Sequence, residues 1–230
     1  MLKIFKRQVF KVAGFLMLLF ISKLIKFGPI LGVLKGNLLA SQVVMPLAGI
    51  LTSGIGLISI FVLSAINSFS FNFTLYSLST VYHIPSFFAS LSLFNHGNKI
   101  LNLFFRSINF VVPASCAILF VINPIGSQIP AYVLYWLIPV FITASGIENM
   151  FLKALSATFI AHAVGTVVFI YSVPSDVSLW ANLAKIVWLE RIVIALGMSV
   201  VYKAVVLVKA LFKETENMIV LKHEKEIINN

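Results

Sequence analysis

Charge is scarce in this chain. Only 10% of its 230 residues are charged, against about 25% in ordinary soluble domains. Acidic residues are scarcer still, with seven Asp and Glu against 17 Lys and Arg. Such a sequence cannot clothe a globule in polar surface, so lipid must solvate much of it. The chain has a single cysteine, Cys116. That excludes an intramolecular disulfide, the CxxC metal and redox motifs, and haem attachment through paired thioethers. Neither HExxH nor GxSxG occurs, and no two carboxylates are spaced for acid–base work. Gly54-Ile55-Gly56 lies in an apolar run with no lysine after it, so it is not a phosphate loop. Internal repeats and low-complexity segments are absent. The net charge of +10 does not point to nucleic acid, because no basic cluster with interleaved aromatics stands outside the apolar runs.

What the chain has in abundance is apolar length. Hydrophobic residues make up 60%, and the mean hydropathy is +1.04. At about 20 residues per membrane helix, there is room for about six or seven. Runs at 38–66, 73–94, 108–122, 129–147, 150–171 and 183–202 predict six spans. The predicted fold is an all-α polytopic membrane bundle of these six helices plus an N-terminal apolar segment. It forms one domain over 1–212, followed by a polar tail at 213–230.

Basic residues orient the bundle, since they mark the cytoplasmic side of short loops. With Lys35 inside, all of the 17 Lys and Arg except Lys185 and Arg191 fall on the cytoplasmic face. Both termini are then cytoplasmic. Heavy use of Phe, Ile, Asn and Lys suits an AT-rich bacterial genome, so a bacterial inner membrane is the expected location. The N-terminal run 12–22 is flanked by lysines on both sides. Three arrangements fit it: a re-entrant or in-plane helix, a seventh span continuing to 34 with Lys23 and Lys26 snorkelling, or a cleaved signal peptide.

Small residues recur at helical spacing in Gly28/Gly32/Gly36, Ala157/Ala161/Gly165 and Gly49/Ser53. Such stripes allow close helix packing in lipid, either within the bundle or against a membrane partner. Pro46, Pro85, Pro113 and Pro139 each remove a backbone donor. Four potential kinks in a small bundle favour an internal cavity.

The polar side chains inside the apolar runs are the candidate site. His162 stands near the middle of LSATFIAHAVGTVVFIY, and His83 stands at comparable depth in its own run. Each could be a neutral core histidine or a ligand contact. Glu190 and Arg191 are adjacent in AKIVWLERIVIALG and point about 100° apart on a helix, so each is expected to find its own partner on another helix. They read either as structural ion pairs or as ligand contacts, Arg for a carboxylate or phosphate and Glu for a cation, amine or proton. Tyr76, Tyr135, Trp136, Tyr171 and Trp180 read as an interfacial aromatic belt or as a stacking wall. Most of these groups map to the outer or middle depth. The expected arrangement is an outward-opening polar pocket bounded by His83, His162, Glu190, Arg191, Tyr76, Tyr135 and Trp136, with His162 on its floor.

The segment FGPILGVLKGNLLASQVVMPLAGILTSGIGL places a Pro/Gly loop before a helix of type PLAGxxxxGxG. With the chain's size, basic start and cytoplasmic termini, it resembles the substrate-binding S components of energy-coupling factor vitamin importers. That resemblance implies a non-catalytic chain, a small organic ligand, and a transmembrane coupling subunit with ATPases as partners. It implies no cofactor. Three other classes fit the residues: an assembly protein whose groove holds another membrane protein, a bis-histidine haem carrier using His83 and His162, and a membrane enzyme.

Overall fold

The computed structural model describes residues 2–27, 38–52, 83–94 and 98–228. Helix α1 spans Leu2–Leu24 and leads into a short antiparallel hairpin of β1 (Lys26–Phe27) and β2 (Leu38–Leu39), which pair Lys26 with Leu39. Next come α2 (Ser41–Val44), a 3₁₀ turn at Met45–Leu47, and α3 (Ala48–Leu51). Helix α4 is Ile84–Ser92 and α5 is Lys99–Ile122. Two 3₁₀ segments, Gly126–Gln128 and Pro130–Trp136, precede α6 (Leu137–Ser145). Helices α7 (Met150–Ser172) and α8 (Val177–Ile228) complete the chain.

The helix boundaries have local causes. The Asn98 side chain accepts from Ile100 N at 2.8 Å to open α5, and Asn149 accepts from Phe151 N at 2.8 Å to open α7. Both satisfy first-turn donors that a helix otherwise leaves unpaired. Helix α6 stops at Gly146, whose φ of +67° supplies the left-handed turn of a helix C-cap. Asp176 precedes α8 and accepts from Leu179 N at 2.7 Å and Ser178 Oγ at 2.9 Å. These two donors, the Leu179 N–H first, hold the exposed Asp176 carboxyl below its ordinary value of 3.8. A depressed acid contributes stability that is fully present above its unfolded-state pKa and fades as pH falls through the folded value. Asparagine caps equally well without charge. The gap in thermal midpoint between the native chain and Asp176→Asn in detergent is therefore expected in full at pH 7, and should shrink only once the pH falls below 3.8 and through the lower folded value. A gap of the same size at pH 7 and at the lowest pH at which both proteins stay folded removes the charge from the account.

The expected six spans are not what the described residues form. Three helices among them are long and apolar enough to cross a membrane, within Lys99–Ile122, Met150–Ser172 and Val177–Phe212. Three shorter apolar helical stretches lie at Lys11–Ser22, Ser41–Leu51 and Pro130–Ser145. The run at 129–147 is divided because Pro130 starts a 3₁₀ segment and α-helix resumes only at Leu137. In the run at 38–66, Pro46 sits in a 3₁₀ turn and helix ends at Leu51, while 53–66 lies outside the described residues. In the run at 73–94, helix begins only at Ile84, and 73–82 lies outside the described residues. A seventh span reaching 34 is also excluded, since helix ends at Leu24 and Lys26–Phe27 is extended.

Of the four prolines, Pro113 alone stands inside a long helix. Pro85 and Pro139 fall in first turns, where the missing N–H matters little. The inference of four kinks therefore reduces to one interior break.

Helix α7 is the axis of the bundle and packs against α4, α5, α6 and α8. Its span is 56% buried, against 28% for that of α5 and 22% for that of α8. Ala154, Ala157 and Ala163 on α7 have no exposed surface, and Gly165 meets the Pro85 ring. The Ala157/Ala161/Gly165 stripe is thus used inside the bundle. One apolar core joins α1, α3, α4, α7 and α8 through Phe15, Ala48, Ala89, Ala157 and Met198. A second joins α5, the Pro130–Trp136 segment, α7 and α8 through Phe120, Tyr132, Trp136 and Trp180. Gly49, the described member of its pair with Ser53, sits where α3 crosses α4. Gly28, Gly32 and Gly36 lie outside the described residues.

Candidate functional site

The candidate residues divide into two groups. His83 and Arg191 line a cavity of about 370 Å³ bounded by α2, the Met45–Leu47 turn, α4, α7 and α8, together with Ser41, Gln42, Thr158 and Ala161. His83 precedes α4 with φ 52°, the one positive-φ non-glycine among the described residues. This backbone conformation is uncommon outside glycine, and histidine tolerates it better than most residues. Pro85 fixes the start of α4 directly afterwards. His83 is therefore held by a turn at the cavity wall rather than within a helix.

Arg191 reaches the cavity from α8. Its Nη2 donates to Glu190 Oε2 at 2.7 Å, contrary to the expectation that the two neighbours bind separate helices. Their backbone directions diverge, but both side chains are long enough to bend back to each other. Both are mostly withdrawn from solvent, with side chains 15% and 21% exposed. Arg191 Nε is buried and has no hydrogen-bond partner among the described residues. A buried unpaired donor costs about 1–3 kcal/mol. Thr158 Oγ1 donates to Leu155 O at 2.8 Å and lies 3.5 Å from Arg191 O, fixing the level at which α7 and α8 meet.

His162, Tyr135 and Trp136 belong elsewhere. His162 Nε2 is 2.9 Å from Tyr132 Oη and 3.4 Å from Thr166 Oγ1. It is tied into the second core rather than forming a cavity floor, as expected of a neutral histidine paired inside a bundle. Its Nε2 is also the atom that haem ligation would require. Tyr135 Oη donates to Ala184 O at 2.6 Å and its ring stacks on Phe159. Trp136 is buried with its edge toward Phe120, and its Nε1 has no partner among the described residues. Trp180 also meets Phe120 edge-on, at 5.6 Å between centroids. Trp136 and Trp180 are core, not an interfacial belt, and both pack on the same Phe120 ring. Tyr171 stays exposed, its hydroxyl donating to Leu119 O at 2.7 Å. Tyr76 lies outside the described residues.

Thr158, Ser41 and Gln42 do not stand out in the sequence, because hydroxyls and amides are common in apolar helices and carry no spacing signal. A second, more polar cavity escapes notice for another reason. Arg106 and Lys153 read as topology markers, yet both line a space of about 240 Å³ with Asn102, Asn109, Glu148 and Ser156. It lies at the end of the bundle where α5 and α7 begin. Among the described residues no three His, Cys, Asp or Glu side chains are grouped to hold a metal ion.

The fold is that of a helical, largely apolar protein, consistent with a membrane-embedded role. In comparisons with known proteins, the chain matches no family, no curated protein and no solved structure.

Proposed function

We propose that this protein binds a small organic molecule within the membrane, without catalysing its conversion, as the substrate-binding components of energy-coupling factor importers do. The observation that carries the reading is the cavity of about 370 Å³ walled by Arg191, His83, Thr158, Ser41 and Gln42. Its size falls in the usual range for small-molecule sites, about 300–1,000 Å³, and its wall is apolar with a few polar groups. Two features set it apart from a packing defect. The buried Arg191 Nε lacks an acceptor among the described residues, which a ligand oxygen would supply. The left-handed His83 backbone is a strained feature of the kind that clusters at binding sites. A transporter reading adds access from the outer face and coupling to ATPase-bearing partners.

The test is mass spectrometry of small molecules that co-purify with the full chain in detergent, followed by binding assays with those molecules and with a panel of water-soluble vitamins. Arg191→Ala and His83→Ala are expected to weaken binding about tenfold or more, as removal of a charge-assisted hydrogen bond does. His162→Ala, acting on the second core, is expected to lower thermal stability with a smaller effect on affinity. Unchanged affinity in Arg191→Ala and His83→Ala rules the cavity out as the binding site.

A further inference from the structure

We infer that the smaller cavity, where α5 and α7 begin, is a separate binding site for a phosphate group. Arg106 from α5 and Lys153 from α7 bring two cations to one space of about 240 Å³. Glu148 is the one carboxylate among its described lining residues, so the wall is net positive. The rest of the wall is uncharged and mixes polar with apolar side chains. Asn109 and Ser156 are buried, with Ser156 Oγ donating to Asn109 Oδ1 at 3.3 Å, and Asn102 lines the space nearer the start of α5. Pro113 lies four residues beyond Asn109 and deprives its carbonyl of the usual helical donor.

The cations are positioned without being used up. Arg106 Nη2 donates to Thr143 O at 2.9 Å, and its guanidinium makes no other side-chain hydrogen bond among the described residues. Lys153 is paired with Glu148, whose side chain is 75% exposed at the rim. A phosphate entering the space competes with that carboxylate for the ammonium. The first-turn amides of α7 are already taken by Asn149, so the attraction comes from side chains. Planar guanidinium and compact ammonium together are the common recognition pair for phosphate oxygens. Ile100, Leu103 and Phe104 on α5 and Ile147 after α6 are exposed at this end. They offer acyl chains an apolar flank, and basic pockets between membrane helices hold anionic headgroups. The shared chemistry is phosphate, whether carried by a lipid or free.

The experiment titrates the full chain in neutral detergent with short-chain phosphatidylglycerol, with the matching phosphatidylcholine, and with inorganic phosphate. Native mass spectrometry and the thermal midpoint are read together. Saturable binding of phosphatidylglycerol supports a headgroup site, and saturable binding of inorganic phosphate supports a soluble ligand. In either arm, Arg106→Gln and Lys153→Gln are expected to weaken binding about tenfold. Glu148→Gln should tighten it by freeing Lys153, a gain that a merely structural role for the cluster does not produce. Lys185→Gln, at the opposite end, should leave it unchanged. Should Arg106→Gln fail to fold, Lys153→Gln and Glu148→Gln carry the test, since both leave the Arg106–Thr143 bond in place. No saturable binding in either arm, or binding indifferent to these substitutions, overturns the inference. Because Arg191 takes no part, failure here is distinct from failure of the ligand cavity.

Discussion

Replacing Gly49 with alanine is expected to destabilise the bundle by about 3 kcal/mol, the upper end of ordinary overpacking. A Cβ at this position would stand 1.9 Å from the Ser90 carbonyl oxygen and 2.9 Å from its carbon. Both are backbone atoms of α4, so no side chain can rotate away to make room. The same contact carries a hydrogen bond in which Gly49 N–H donates to Ser90 Oγ at 2.7 Å. Separating the helices to admit a methyl group would stretch that bond too. Gly14 gives the opposite sign. It stands in α1, where an added Cβ would meet nothing within 4 Å, so Gly14→Ala should gain up to about 1 kcal/mol of helix propensity. Thermal midpoints in one detergent should fall for Gly49→Ala and hold or rise for Gly14→Ala. Equal midpoints for the two variants would refute the close crossing of α3 and α4.

The second large effect concerns Glu190 and Arg191. Removing the carboxylate alone, as in Glu190→Leu, strands a largely buried guanidinium whose Nε already lacks a partner among the described residues. The expected loss is about 3 kcal/mol, the low end for breaking a buried pair, because both side chains keep some exposure. Removing both charges, as in Glu190→Leu/Arg191→Leu, strands nothing and should recover most of that loss. The double variant should therefore be stable yet bind ligand in the larger cavity about tenfold or more weakly. Stability losses that simply add would show that the pair is not coupled. A double variant with unchanged affinity would remove Arg191 from the site.

These cases also show which features could be read from residues in order. The later spans were legible because unbroken apolar length determines them: 108–122, 150–171 and 183–202 all fall inside the observed α5, α7 and α8. Gly49 was legible as a small residue, but the atom it makes room for is a carbonyl on a segment distant in sequence. The division of 129–147 was not legible, since the hydropathy of a 3₁₀ segment equals that of an α-helix and only hydrogen-bond geometry separates them. Side-chain reach was the other gap. Helical phase said that Glu190 and Arg191 diverge, whereas two long flexible chains converged at 2.7 Å. His83 and Arg191 were recognised as costly groups in an apolar setting, and they do share a cavity. His162 drew notice on the same ground, but its cost is met locally by Tyr132 and Thr166. Depth along a helix indicates that a polar group needs a partner, not which partner it takes.

Helix α8 has a geometric consequence. Its 52 residues make a rod of about 78 Å, while a bilayer interior is only about 30 Å thick. Arg191 therefore stands 37 residues before the end of a helix more than twice as long as that interior is thick. Rotating that helix by about 5° about its buried portion sweeps the tip through several ångströms, given its length.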